Sequence, residues 1–175
     1  MRSMFDIIKL TPVYDAVEDR LRLNIQTRQG PVLSMWLTQR LGTLVVLNLA
    51  RQLDEEVKAE AAGLARAPLH QFEQSAAVSR HKPDTAVKAA QAADNGLVQR
   101  VDVGRRGAGY VLTWAAVGGA EARMSIDGVQ LRQFLEIFRR VYAKAQWDMQ
   151  SWPVWLRQPA AATQAAVAGK PQALH

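Results

Sequence analysis

Glycine and arginine occur together in residues 104–109, which read Gly-Arg-Arg-Gly-Ala-Gly. Free backbone amides and guanidinium groups are what a phosphate group needs from a binding site. The segment is predicted to join two strands and opens no helix, so it has neither the order of a dinucleotide-binding loop nor the Walker spacing. It matches two RNA-binding patterns in part, a Gly-x-x-Gly loop at 104–107 and the octapeptide of RNA-recognition folds at 106–111. The second pattern expects aromatic residues where Ala108 and Thr113 stand, so a soluble hairpin loop is the simpler interpretation.

Positive charge is concentrated in the second half of the chain, where it is mostly arginine. The net charge is +6, and residues 97–157 hold nine Lys and Arg against five Asp and Glu. A basic surface favours a phosphate-bearing partner such as nucleic acid. Glu136 lies four residues from two of these arginines on a predicted helix and can pair with either, so we expect at most weak, non-specific binding. The candidate nucleic-acid-binding residues are Arg105, Arg106, Arg132, Arg139 and Arg140.

Side chains suited to catalysis or metal binding are scarce. The chain has no cysteine, which excludes a thiolate nucleophile, a disulfide framework and a zinc–thiolate site. Its three histidines, His70, His81 and His175, lack the spacing of metal ligands. Glu18 and Asp19 are adjacent, and neighbours on a strand point to opposite faces. The sequence therefore predicts a non-enzymatic protein with no catalytic residue, no cofactor and no metal site.

Tryptophan and arginine supply the other candidate binding residues. Trp36 and Arg40 are of the types that dominate protein–protein hot spots, although a strand end followed by a helix cap also explains this segment as structure. Trp152 and Trp155 follow a predicted helix that Pro153 stops. Their segment must fold back over one face of the sheet or expose its rings to a partner. The sequence thus predicts a protein–protein interaction or assembly module that forms a homo-oligomer, with nucleic-acid binding as the alternative.

Residues 1–64 form the first predicted half. Apolar and polar residues alternate in this half, as half-buried strands require. Thr38 is predicted to cap the helix that follows, because its hydroxyl can accept a hydrogen bond from the first turn. Apolar residues at three- and four-residue spacing carry that helix to about residue 63. The predicted strands are residues 7–13, 20–27 and 32–37.

Residues 97–157 repeat this order of elements about 89 residues later. Asp127 is predicted to cap the second helix and to form a capping box with Gln130. This helix runs to about residue 147, and its apolar stripe, which includes Phe134 and Phe138, should face the main core. The predicted strands are residues 97–103, 109–116 and 121–126.

The halves are joined by a connector of residues 65–96, rich in Ala, Gln and Ser, with short helices predicted at 69–79 and 84–93. Residues 158–175 are predicted to be a disordered tail, because a composition of Ala, Gln, Pro and Gly cannot offset the entropy of ordering. The chain is thus predicted to be a single α+β domain over residues 1–157. Its antiparallel sheet, or pair of sheets, has about six strands and packs against two long helices.

Two short motifs resemble those of a group of small uncharacterised bacterial proteins. Residues 18–21 read Glu-Asp-Arg-Leu, and residues 36–41 read Trp-Leu-Thr-Gln-Arg-Leu, where the group has Trp-Leu-Thr-x-Arg-Leu. The resemblance covers about the first quarter of the chain. It implies a bacterial, cytoplasmic protein and brings neither an activity nor a catalytic residue. The sequence has no signal-like start and no apolar stretch of membrane length, so no membrane association is predicted.

Overall fold

The computed structural model describes residues 3–60, 66–89 and 95–159, and of residues 58–60 it describes the backbone alone. In this part of the chain, a mixed sheet of six strands packs against helices in an α+β fold. No described helix has the length and hydropathy that a membrane span requires. The strands are β1 (Ser3–Asp15), β2 (Arg20–Thr27), β3 (Val32–Leu37), β4 (Val98–Arg106), β5 (Gly109–Ala116) and β6 (Ala120–Ile126). The helices are α1 (Gln39–Glu60), α2 (Arg66–Ser79), α3 (Gly128–Ala145) and α4 (Val154–Arg157).

Two antiparallel meanders build the sheet, whose strand order is β3-β2-β1-β6-β5-β4. Within each half, consecutive strands pair antiparallel, as the short predicted turns require. The halves meet where β1 runs parallel to β6, with Ser3 beside Ala120 and Asp6 beside Arg123. The prediction of a purely antiparallel sheet is therefore wrong at this junction. Strands paired in parallel are joined through a long crossover, and their pairing leaves no local pattern in the sequence.

A second parallel contact links the two outer strands. Leu97, just before β4, forms a parallel bridge with Trp36 of β3, and the Trp36 N–H donates to the Gly96 carbonyl at 3.0 Å. At both junctions, the first strand of one half therefore lies beside the last strand of the other. Helix packing follows the same plan, because α1 contacts β4 and α3 contacts β1. This arrangement agrees with the repeated order of elements in the sequence.

One face of the sheet packs against α1 and α3 and holds the hydrophobic core. Leu23 of β2 and Trp114 of β5 are fully buried on this face. Phe134 and Phe138 of α3 are buried with them, which confirms the face of this helix that the sequence predicted to be apolar. Their ring centroids lie 4.5 Å apart, so the two phenylalanines also pack on each other.

Both long helices begin at the cap residues that the sequence predicted. The backbone N–H of Gln130 donates to Asp127 Oδ1 at 2.8 Å, and the Asp127 N–H donates to Gln130 Oε1 at 3.0 Å. This reciprocal pair is the predicted capping box of α3. At the start of α1, the Leu41 N–H donates to the Thr38 hydroxyl at 3.3 Å, so Thr38 caps this helix as predicted.

A glycine allows α1 and α3 to approach closely. The Tyr142 hydroxyl donates to the Gln39 carbonyl at 3.0 Å and lies 3.2 Å from the Thr43 hydroxyl. A Cβ atom on Gly42 would lie 2.6 Å from the Tyr142 oxygen, so a larger residue at this position would push the helices apart. Burial of the phenol raises the pKa of Tyr142 to about 12.

The other face of the sheet, which we call the open face, carries no helix among the described residues. Part of it is crossed by residues 80–89, the chain segment that follows α2. The Lys9 ammonium lies 2.7 Å from Asp84 Oδ2, and the Val87 N–H donates to the Thr11 hydroxyl at 3.0 Å. These contacts hold the segment against β1 and leave the β6–β5 side of the open face uncovered by it.

The connector departs in part from its prediction. Its first helix is present as α2 but begins at Arg66, with Pro68 in the first turn, where a missing N–H costs little. The second predicted helix, over 84–93, is wrong for residues 84–89, which are irregular, and its remaining residues lie outside the described ranges. An Ala-rich composition favours a helix only weakly, and in this segment contacts with the sheet outweigh that preference. The predicted tail lies outside the described residues from residue 160 onward.

Candidate functional site

Trp152 and Trp155 lie inside the molecule, with 1% and 8% of their surface exposed. The ring of Trp152 packs on Tyr142 of α3 at a centroid distance of 4.7 Å. The ring of Trp155 stacks on His70 of α2, also at 4.7 Å, with an interplanar angle of 8°. The segment after α3 therefore folds back, as one of the two alternatives predicted. It packs on helices, however, and not on the face of the sheet. Either way, the chain itself covers the two rings that were candidates for partner binding.

The other predicted partner-binding pair is divided between two elements. Trp36 is half-buried on the open face, where the Arg22 guanidinium lies 5.2 Å from its ring centroid. Arg40 lies exposed in the first turn of α1. The order of strand end, Thr38 cap and helix start accounts for this segment, in line with its structural interpretation.

Three arginines predicted to contact nucleic acid are engaged within the chain. Arg139 makes a bidentate pair with Glu136, in which both N–O distances are 2.8 Å. Arg140 binds the same carboxylate at 3.0 Å, and Arg132 pairs with Glu73 of α2. Arg132 and Arg139 are buried in these pairs. Helical spacing placed these residues on the polar side of α3, but α2 covers part of that side.

The pair of Arg132 and Glu73 belongs to a buried polar cluster around His70. The His70 ring lies 3.4 Å from Asp54 through Nε2 and 3.4 Å from the Arg132 guanidinium through Nδ1. That guanidinium also lies over the Trp155 ring, 5.5 Å from its centroid. Burial, and then the neighbouring Arg132 charge, lower the pKa of His70 against the opposing effect of Asp54. Both effects favour the neutral form of the imidazole at the contact of α2 with α4.

We expect the lowered pKa of His70 to make stability fall as the pH drops through about 6.5, the ordinary histidine value. Below that pH, His70 binds a proton more readily in the unfolded chain than in the folded one, so protonation favours unfolding. Thermal melting at pH 7.5 and 5.5 should therefore show a smaller pH-dependent loss for His70→Gln than for the wild type. His81→Gln removes an exposed histidine and is the control. An equal pH dependence in all three proteins would contradict the lowered pKa.

The hairpin between β4 and β5 separates the two arginines of the Gly-Arg-Arg-Gly segment. β4 continues three residues further than predicted, to Arg106, and Gly107, with φ +61°, is the first residue of a two-residue turn before β5. Because side chains alternate along a strand, Arg105 and Arg106 point to opposite faces of the sheet. Arg105 pairs with Glu56 of α1, and this hydrogen bond is the main reason that its pKa is raised. Arg106 is left exposed on the open face.

Arg106 joins two further arginines on the open face to line a groove of about 540 Å³. Arg28 comes from the turn after β2, and Arg123 comes from the middle of β6. We call this hollow the arginine groove. Its remaining lining residues are Asp6, Ile7, Val111, Ser125 and Arg105, whose guanidinium is turned to Glu56 on the other face.

The arginine groove has an excess of positive charge, because Asp6 is the single carboxylate among the described residues that line it. Asp6 Oδ1 lies 3.1 Å from the Arg123 guanidinium, and the Gln29 side-chain amide donates to Asp6 Oδ2 at 3.4 Å. Arg28 and Arg106 are exposed and form no ion pair within the described part of the chain. Within the described residues, the groove therefore offers two guanidinium groups without a carboxylate partner beside a third that Asp6 holds in place.

Comparisons of the chain with protein-family models, with curated proteins and with solved structures find no match. Two of the three arginines were missed as candidates, Arg28 and Arg123, because they lie 95 positions apart in a sequence that gives no sign of the β1–β6 junction. The alternation of β6 was the available signal, since it turns Arg123 away from the buried Ala122.

Aromatic side chains do not line the groove within the described residues. Tyr110 and Trp114, the strand aromatics that could have stacked on bases, face the helices and are 1% and 0% exposed. The Tyr110 ring instead lies beneath Arg105, whose guanidinium is 4.9 Å from its centroid. The site can thus contact charged groups through arginine but offers no platform for base stacking.

Proposed function

We propose that the protein is a non-enzymatic nucleic-acid-binding protein that holds the phosphate backbone in the arginine groove. The observation that carries this proposal is the convergence of Arg28, Arg106 and Arg123 on one hollow of the open face. Guanidinium groups bind phosphate oxygens in a planar, bidentate geometry, so several together favour a polymer with repeated phosphates. The net charge of +6 adds attraction at longer range.

The chemistry of the groove sets the kind of binding that we expect. Phosphate contacts position a nucleic acid but carry no sequence information, and the groove has no aromatic ring for stacking on bases. Binding should therefore be independent of sequence and sensitive to salt, with a Kd of about 10⁻⁴ to 10⁻⁶ M at physiological ionic strength. Three phosphate contacts to a single strand correspond to a slope of log K against log salt of roughly −2.

Replacing two groove arginines, in the double variant Arg28→Ala/Arg106→Ala, is expected to weaken binding to labelled single-stranded DNA and RNA about tenfold or more at low salt. Each lost phosphate contact should also reduce the salt slope by roughly 0.7. Fluorescence anisotropy over a range of salt concentrations measures both quantities. The matched control is Arg40→Ala/Arg51→Ala, which removes two exposed arginines from α1 on the helical side.

Asp6→Asn is expected to change the affinity for nucleic acid in the opposite direction. It removes the single carboxylate of the groove while keeping the size of the side chain, so the freed Arg123 charge should tighten binding by several-fold. Equal affinity of wild type and both groove variants would overturn the proposal. Equal binding of a polyglutamate peptide and of nucleic acid would instead indicate a protein partner with an acidic surface.

A further inference from the structure

Phe72, on the outer side of α2, is 71% exposed. It lies at the opening of a cleft of about 580 Å³ between α1, α2 and the start of α3. Much of the cleft wall is apolar and is formed by Leu53, Val57, Ala77, Ala108 and Val129. A large exposed aromatic side chain beside an apolar hollow is the arrangement expected of a protein-binding surface.

The charged groups around this Phe72 cleft include both signs. Glu56 and Glu73 line it, and their side chains are 31% and 34% exposed. Arg80, one residue beyond the end of α2, also lines it, is exposed and forms no ion pair among the described residues. Asp127 also lines the cleft, and three carboxylates at this surface disfavour a nucleic acid. Arg105 and Arg132 bind Glu56 and Glu73 from within the chain, but about a third of each glutamate side chain stays exposed, so Arg80 of a second copy can approach these carboxylates.

The spacing along α2 is also suited to a twofold contact. Phe72 and Ala76 lie four residues apart on one side of α2, and Arg80 follows directly after the end of the helix. If two α2 helices cross antiparallel at Ala76, Arg80 of one copy comes beside Phe72 and Glu73 of the other. Ala76 is small enough to let the two helices approach closely at the crossing point.

We infer that a second copy of this chain docks on the Phe72 cleft, with Phe72 of each copy entering the cleft of the other. The contact is isologous, so the two copies use the same surface, and each Phe72 fills the cleft of the other copy. It lies on the helical side of the molecule, whereas the arginine groove lies on the open face of the sheet. Dimer formation would therefore leave both arginine grooves accessible.

Sedimentation equilibrium of the full chain between 1 and 100 μM tests the inference, because the monomer mass is 19.4 kDa. We expect the wild type to approach twice this mass as its concentration rises. Phe72→Ser should raise the dimer Kd about tenfold or more, as loss of an aromatic hot spot does, and Arg80→Glu should also weaken the dimer.

Val154→Ser is the matched control, because Val154 of α4 is 64% exposed and lies outside the cleft lining. It should leave the dimer Kd unchanged. Circular dichroism of Phe72→Ser should match that of the wild type, since an exposed side chain contributes little to folding. A wild type of 19.4 kDa throughout the concentration range, or a dimer that Phe72→Ser does not weaken, would overturn the inference.

Discussion

Replacing Glu136 with alanine is expected to lower the free energy of unfolding by about 3–5 kcal/mol. The Glu136 side chain is 3% exposed and accepts two hydrogen bonds from Arg139, whose side chain is 9% exposed. Removing the carboxylate leaves the Arg139 charge buried without its partner, and this desolvation accounts for most of the loss. Urea denaturation of the wild type and the variant measures it.

Arg140→Ala is the control for this experiment, because Arg140 binds the same carboxylate but its side chain is 51% exposed. An exposed ion pair contributes little, so the loss should stay below about 1 kcal/mol. A loss below about 1 kcal/mol for Glu136→Ala as well would mean that Arg139 reaches water once its partner is removed. Arg139 would then regain its place as a candidate for nucleic-acid contact.

The second large effect is expected from Trp152→Ala, at about 3–5 kcal/mol of unfolding free energy. Trp152 is 1% exposed, packs on Tyr142, and accepts a hydrogen bond from the Arg157 side chain at its carbonyl. Truncation would leave a cavity between α3 and the returning C-terminal segment. Denaturant unfolding followed by circular dichroism measures the change.

Val154→Ala is the neighbouring control, and its effect should stay within about 0.5 kcal/mol, because Val154 is largely exposed. A near-neutral Trp152→Ala would mean that the segment of Trp152 and Trp155 does not dock on the helices. The two rings would then be available to a partner, which was the alternative that the sequence left open.

Local patterns predicted much of the fold. The bounds of β2, β3 and β5 match the sequence analysis, because alternation of side chains and tight turns are properties of neighbouring residues. The same holds for the capping box of Asp127 and for the apolar stripe of α3. Each of these features can be recognised from a window of about one element.

Contacts between distant segments could not be predicted in this way. The parallel junction of β1 and β6 joins residues that share no local signal, and the arginine groove is assembled at that junction. The helical spacing of Arg132 and Arg139 was correct, but spacing alone could not reveal that Glu73 and Glu136 bind them. The prediction that Pro153 stops the long helix was wrong, because α3 already ends at Ala145 and Pro153 instead precedes α4. The position of Trp155 against His70 also had no local signal.

The junction of β1 and β6 also constrains how the protein is made. Phe5 of β1 pairs with Ala122 of β6, which is synthesised 117 residues later. One edge of β1 therefore has no partner strand when β1 leaves the ribosome. At roughly 5–20 residues per second, that edge waits for about 6–23 s with its backbone groups unpaired. A nascent chain can complete the β1–β2–β3 meander in this interval but not the sheet. During this interval the β1 edge of an unfinished copy is open to pairing with another chain.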